Sequence, residues 1–248
     1  MRPDEFVSRS AWQQASSKTV RREVVVTKGK DNAGVSGANR LGTNDGGPAS
    51  TPRSSAYHRR MSATALDILD FWFGPPPHAP REAWFRKDPA FDAQIRRRFG
   101  DVIAAALAGA YGEWCTSASG ALARVILLDQ FARNVFRDTP DAFAGDAAAL
   151  ATAADAVDRG LDAALDPYER KFLYMPFEHS EDLAQQERSV ALFTMLAQRS
   201  GDLGGLDWAE KHEAIIRRFG RFPHRNAILG RESTAEETAF LGQPGSRF

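Results

Sequence analysis

Cysteine is scarce in this chain of 248 residues, which has Cys115 and no other. A single cysteine excludes an internal disulfide framework and is typical of a reducing compartment, so we expect a cytoplasmic protein. Long apolar runs are also missing. No segment approaches the ~20 residues that a membrane-spanning helix needs, which argues against a membrane partner. The first residues lack the apolar core of a secretory signal.

Short motifs of the common cofactor and metal sites are absent as well. The sequence has no Gly-x-Ser-x-Gly turn, no glycine-rich phosphate loop, and no His-Glu-x-x-His or Cys-x-x-Cys pair. A serine-nucleophile hydrolase of that type and a nucleotide-triphosphate enzyme are therefore disfavoured. We predict no metal site, and the sequence identifies no cofactor.

The net charge of zero conceals an asymmetry along the chain. Residues 1–60 carry 11 Lys and Arg against 5 Asp and Glu, whereas residues 61–248 carry 21 against 27. Nucleic-acid binding requires a basic face, so the acidic larger part argues against a nucleic-acid partner.

Residues 1–60 have the composition of a basic, disordered N-terminal extension. Residues 31–55 are rich in Gly, Asn, Ser, Thr and Pro and show no helical period. Two other interpretations stay open, namely a targeting segment and a stretch upstream of the natural start, since Met61 comes just before the first amphipathic helix. The second predicted domain therefore spans residues 61–248.

Residues 61–248 show apolar residues at helical spacing, separated by caps and glycines. Proline follows an aspartate at Asp88 and at Asp166, a typical helix start. We also expect caps at Ser119, Ser180 and Asp207, and a Ser233–Glu236 capping box. About eight helices joined by short loops predict an all-α fold, either an array of antiparallel, tetratricopeptide-like helical hairpins or a compact bundle.

Three polar motifs interrupt this apolar pattern. The first spans 127–137, where Asp129, Arg133 and Arg137 recur every four residues and so share one helix face, with Asn134 beside them. A polar stripe on an otherwise apolar helix either faces a cavity or is a buried Asp129–Arg133 ion pair that fixes helix packing.

The second motif spans 174–182 and is predicted as a loop that enters a long helix. Glu178 precedes His179 directly, and a carboxylate beside an imidazole can form an acid–base pair. The same two residues could instead brace the loop through hydrogen bonds.

The third motif, 217–226, holds four arginines and a histidine within ten residues. The planar guanidinium suits carboxylates and phosphates, so the motif is either an anion-binding loop or a surface turn paired with neighbouring acids. Its candidate ligand-binding residues are Arg221, His224, Arg225 and Asn226.

These motifs, together with Phe71-Trp72-Phe73-Gly74, resemble a largely bacterial family known as domain of unknown function 924. The resemblance covers about residues 64–242 and implies an all-helical, tetratricopeptide-like fold with no established activity. The family pattern reads Asp-Gln-Phe-Pro-Arg-Asn where this chain has Ala132, a change expected to relax a kink.

The leading hypothesis is a small-molecule site where the three motifs meet. Arginines, with Arg133 among them, would hold an anionic group; Glu178 and His179 would transfer a proton, and Asp129 would orient a neighbour. Whether the protein is an enzyme stays open; hydrolytic or proton-transfer chemistry is favoured over redox chemistry. The alternative is a scaffold that binds a peptide or a partner protein. Ligand identity and oligomeric state are not defined by the sequence.

Overall fold

The computed structural model describes residues 63–246, so the expectations for residues 1–60 lie outside the described part of the chain. Within that part the structure has eight helices and no strand, which confirms the all-α prediction. The tetratricopeptide-like arrangement stays a prediction. The helices are α1 (Ala65–Phe73), α2 (Pro89–Leu107), α3 (Ala118–Val125, Ile126–Phe131 and Ala132–Val135 in one continuous run), α4 (Asp146–Asp158), α5 (Pro167–Glu178), α6 (Leu183–Ser200), α7 (Gly204–Phe219) and α8 (Ala235–Leu241).

Five single turns of 3-10 helix lie in the connections: Glu82–Trp84, Gly112–Thr116, Pro140–Phe143, Leu161–Ala164 and Pro223–Arg225. None of the helices between residues 63 and 246 is both long and apolar enough to cross a bilayer.

Several helix ends follow the sequence signals. Asp88 accepts hydrogen bonds from the first N–H groups of α2, and Asp166 forms a capping box with Glu169 at the start of α5. Gly201 and Gly220 end α6 and α7 in the left-handed conformation, with φ of 75° and 68°.

Other predicted caps were wrong by one to four residues. Ser117 rather than Ser119 caps α3, and α7 begins at Gly204, before Asp207. The last capping box uses Thr234 and Glu237 rather than Ser233 and Glu236. At α3 and α8 two polar residues close together in sequence both fit the cap pattern, and packing selects one of them. Helix α7 begins after Leu203, which makes no side-chain cap.

At the start of α6 the predicted cap Ser180 gives way to Asp182. The Asp182 side chain accepts from the backbone N–H of Ala184 at 2.8 Å, whereas Ser180 accepts from Asp182 itself at 3.2 Å. The serine therefore supports the capping residue.

Helix α3 lies at the centre of the fold, in contact with α1, α2, α4 and α5. Leu122 and the run 125–128 are fully buried within it. Its middle, Ile126–Phe131, is a π-helical segment, and the N–H of Ala132 bonds to the carbonyl of Leu127, five residues back. Such widened turns frequently occur at functional sites.

Candidate functional site

Asp129 lies in the π-helical segment of α3 and has no exposed surface. Its carboxylate is 3.1 Å from Nη1 of Arg133, and Gln130 donates to it from Nε2 at 2.5 Å. Burial by itself would raise the pKa of this carboxyl, but the charges of Arg133 and His179 outweigh burial and hold the pKa below its usual range. Asp129 is therefore a buried, ionised carboxylate.

His179 follows the last residue of α5, and its Nδ1 lies 2.7 Å from Oδ1 of Asp129. The sequence placed residues 174–182 on a loop, but residues 174–178 complete α5 with Pro176 inside the helix. The imidazole thus pairs with Asp129, 50 residues away in sequence, and not with the adjacent Glu178. The His179 side chain is 17% exposed, so part of the ring reaches solvent beside a fully buried partner.

Arg133 also binds Asp146, the first residue of α4. Nη1 and Nη2 donate to the two carboxylate oxygens at 2.7 and 3.1 Å, a bidentate pair. Nη1 of Arg225 approaches the same carboxylate at 3.5 Å, so Asp146 bridges two guanidinium groups.

Gly145 allows α4 to start this close to α3. A β-carbon at position 145 would lie 2.1 Å from the carbonyl oxygen of Leu128, a separation that side chains do not tolerate. Because Gly145 has no side chain, the start of α4 rests on the π-helical backbone, and Asp146 reaches Arg133.

Glu178 is buried and faces His212 of α7, whose Nδ1 is 3.1 Å from Oε1 of Glu178 and 2.9 Å from the carbonyl of Trp208. Burial, with a contribution from Asp129, raises the pKa of Glu178 to about 8. Burial also lowers the pKa of His212 to about 3. Both groups are therefore mostly neutral at pH 7.

Arg225 and His224 lie on the 3-10 turn Pro223–Arg225. Burial, followed by the charge of Arg225, lowers the pKa of His224 to about 4. Burial and the charge of Arg133 lower the pKa of Arg225 to about 10, so this guanidinium stays protonated at pH 7.

These eight side chains come from α3, α4, α5, α7 and the 223–225 turn, and they act on one another through hydrogen bonds or charge. We call them the histidine–arginine cluster: Asp129, Arg133, Asp146, Glu178, His179, His212, His224 and Arg225. The cluster thus brings together three carboxyl groups, three imidazoles and two guanidiniums.

Two residues predicted to bind a ligand turn away from the cluster. Asn134 donates to Asp92 of α2 at 2.6 Å, and Arg137 binds the same carboxylate through Nε at 2.6 Å. Arg137 leaves the expected helix face because α3 ends at Val135.

Two more predicted ligand residues hold α8 in place. Arg221 binds both oxygens of Glu237 at 2.6 and 2.8 Å, and Asn226 donates to the same carboxylate at 3.3 Å. The bond from Arg221 lowers the pKa of Glu237 to about 2. The arginine-rich motif is thus divided, with His224 and Arg225 in the cluster and Arg221 and Asn226 outside it.

Neither Asp146 nor His212 was predicted from the sequence as a residue of the site. The motif at 127–137 contains no sign of Asp146, which is an ordinary first-turn acid of α4. For His212, a histidine four residues after Trp208 on an amphipathic helix was a weak signal.

One set of residues between 63 and 246 has ligand atoms close enough to share a metal ion: His78, Asp166 and Glu169. Asp166 and Glu169 form the capping box of α5, and Nδ1 of His78 lies 2.6 Å from Asp166. Their contacts account for all three side chains without an ion, and we assign no site there.

Comparison with known proteins gives one family and one solved structure. The family model described as "Bacterial protein of unknown function (DUF924)" matches residues 68–245. The structure of the protein of unknown function ATU0120 from Agrobacterium tumefaciens is 44% identical, with a TM-score of 0.64, over 72% of this chain and 96% of that chain. The search of curated proteins found no match. The chain therefore belongs to the DUF924 family of bacterial proteins of unknown function.

Proposed function

We propose that the histidine–arginine cluster binds a small anionic molecule and that His179 exchanges a proton with it. The observation that carries the proposal is the buried, ionised Asp129 at 2.7 Å from Nδ1 of the partly exposed His179. With Nδ1–H donating to the carboxylate, a neutral imidazole has its lone pair on Nε2 and acts as a base there. Either the ligand or a water molecule can supply the proton.

The two buried carboxyl groups of the cluster support an acid–base role. Asp129 is held ionised by its positive neighbours, whereas burial keeps Glu178 protonated. Environments that push the pKa values of neighbouring groups apart are typical of sites that use one group as a base and another as an acid. Glu178 is the proposed acid, and Arg133 and Arg225 supply the positive charge for the ligand.

Asn134, Arg137, Arg221 and Asn226 are left out of the proposed site. Acidic residues outside the cluster already occupy these four side chains. The alternative of a scaffold for a peptide or partner protein stays a prediction from the sequence.

Binding is tested by thermal unfolding in sodium phosphate, sulfate, acetate and formate, each compared with chloride at equal ionic strength. An anion at ten times its Kd stabilises the folded state by about 1.4 kcal/mol, which raises Tm by about 3–6 °C for a domain of this size. Arg225→Lys should lose the increase. The matched control Arg221→Lys should keep it. If no anion raises Tm above chloride, the cluster is a structural network and the proposal fails.

Proton transfer is tested on a wider set of small carboxylic and phosphoric compounds incubated with the protein in deuterated water. We expect deuterium incorporation or hydrolysis of a bound compound, detected by NMR, and loss of the reaction in His179→Gln. His78→Gln, which changes a histidine bound to Asp166 far from the cluster, is the control. If compounds bind but neither exchange deuterium nor react, the proposed proton transfer is contradicted and the proposed anion binding stands.

A further inference from the structure

Arg225 has fewer hydrogen bonds than a buried guanidinium requires. Its side chain is 8% exposed and offers five N–H donors. Its one protein acceptor among the described residues is Asp146, at the 3.5 Å limit, and Nε is buried without a partner. Buried polar groups in native proteins are nearly always hydrogen-bonded, so the unused Nε–Nη edge points to an acceptor that the protein itself does not supply.

The surroundings of Arg225 hold its guanidinium in place. The central carbon of the group lies 4.9 Å from the ring centre of Phe143 and 4.5 Å from that of Phe222. Aromatic rings at these distances favour a cation and restrict rotation of its plane. A fixed planar fork suits a group with two coplanar acceptor oxygens.

The charges of the cluster limit the charge of that acceptor. Arg133 and Arg225 are balanced by Asp129 and Asp146, while Glu178, His212 and His224 are neutral near pH 7. His179 is the last group of the cluster to be counted. The cluster is therefore neutral when this imidazole is neutral and carries one positive charge when it is protonated. One negative charge can be balanced by a proton on His179, whereas two would leave an uncompensated charge in a desolvated site.

We propose that the ligand is a singly charged carboxylate whose two oxygens bind the Nε–Nη edge of Arg225 in the histidine–arginine cluster. This inference rests on the proposed anion site and names its chemical class. Sulfate and the dianionic form of phosphate are excluded by the charge of the cluster and not by the shape of the fork.

The experiment uses the Nε–H signal of Arg225 in a nitrogen-15 NMR spectrum of the full chain, assigned by its loss in Arg225→Lys. Sodium formate and acetate are titrated against phosphate, sulfate and chloride at equal ionic strength. We expect formate and acetate to shift this signal with saturation and sulfate and chloride to leave it in place. Phosphate, which is partly a monoanion at neutral pH, should act only at higher concentration than the carboxylates. In Arg225→Lys, carboxylate binding followed at the backbone signals of the cluster should weaken about tenfold or more, because lysine keeps the charge and loses the fork. Arg221→Lys should bind as the wild type does.

The outcomes separate the two proposals. If phosphate or sulfate shifts the Arg225 signal at lower concentration than the carboxylates, the carboxylate assignment is wrong and the anion site stands. Equal affinity in Arg225→Lys and the wild type would also overturn the assignment. If no anion perturbs the cluster, both proposals fail. The preference for carboxylates over dianions is measured on the wild-type protein, so it tests the assignment even if Arg225→Lys does not fold.

Discussion

Glu178 makes the stability of the domain depend on pH in an unusual direction. Burial raises its folded pKa to about 8 from an ordinary value of 4.5. Between these two pH values the folded state holds a proton that the unfolded state has released, so stability falls as pH rises. The slope is about 1.4 kcal/mol per pH unit while the group is fully protonated in the folded state and fully ionised in the unfolded state.

Two histidines have the opposite effect below pH 6.5. The folded pKa values of His212 and His224 are lowered to about 3 and about 4, so the unfolded state binds protons that the folded state does not. Stability from these groups is present above the unfolded value of 6.5 and is lost as pH falls. The wild type should therefore be most stable near pH 6.5 and lose about 1 kcal/mol from these groups between pH 6.5 and pH 8, because Glu178 is already half ionised at pH 8 and the histidines still gain a little stability above pH 6.5.

The assay is urea unfolding at pH 6.5, 7.2 and 8.0, followed by far-ultraviolet circular dichroism. Glu178→Gln should remove most of the decline, because glutamine cannot ionise. Glu181→Gln is the matched control; it changes a neighbouring carboxyl whose pKa is lowered by its Arg231 partner, so the decline should remain.

His212→Gln separates two causes of the same decline. If Glu178 and His212 formed an ion pair, the histidine would carry the proton and its replacement would abolish the decline. With both groups neutral, His212→Gln keeps it. A wild-type stability that is constant from pH 6.5 to 8, or a decline lost in His212→Gln, would refute the assignment of a protonated Glu178.

Three further substitutions, the first with a control variant, test contacts in and around the site. Gly145→Ala should lower the free energy of unfolding in urea by roughly 1–3 kcal/mol, because the new β-carbon would meet the Leu128 carbonyl. The control Gly100→Ala, which has open space around it on α2, should stabilise the domain by about 0.5–1 kcal/mol. Equal effects of the two substitutions would contradict the close approach at Gly145. Glu237→Gln should lower the stability of the domain above pH 4.5, because the variant lacks the ion pair with Arg221. The folded pKa of Glu237 is depressed, so wild-type stability falls as the pH drops from 4.5 to 2, and the variant should show a smaller fall. The same dependence of stability on pH in both proteins would count against the ion pair. Ala132→Pro should lower the free energy of unfolding by well under the ~3 kcal/mol that proline costs inside a regular helix. A proline ring normally clashes with the carbonyl four residues back, and here that carbonyl, of Leu128, lies toward Gly145. A loss of the full ~3 kcal/mol would contradict this geometry.

The helices were predictable from the sequence where local signals are unique. Gly201 and Gly220 end their helices because an uncrowded left-handed residue is required there, and no neighbour competes for the role. Ser180 and Asp182 show the opposite case, since both side chains can accept a hydrogen bond from an N–H group two residues ahead, and geometry selects the aspartate.

The site was predictable in its residue types and not in its pairings. Asp129 and His179 were both candidates, but their contact depends on how α5 packs against α3. The same holds for Asp92 and Glu237, which bind four of the predicted ligand residues from the separate helices α2 and α8. Predicting Asp146 as a site residue would also require knowing that Gly145 packs against a carbonyl of the π-helical segment. That segment is six residues long, which is too short to change the periodic pattern of apolar residues in the sequence.

The burial of α3 affects which motions can reach the site. Amides in the run 125–128 have no solvent exposure and sit on a helix in contact with four others, so they exchange with deuterium mainly when the whole domain unfolds. Asp129 follows this run directly on the same helix. A ligand at the cluster should therefore slow exchange at the most protected amides of α3 as well as at the exposed loops. Its binding energy would be shared by the whole cooperative unit.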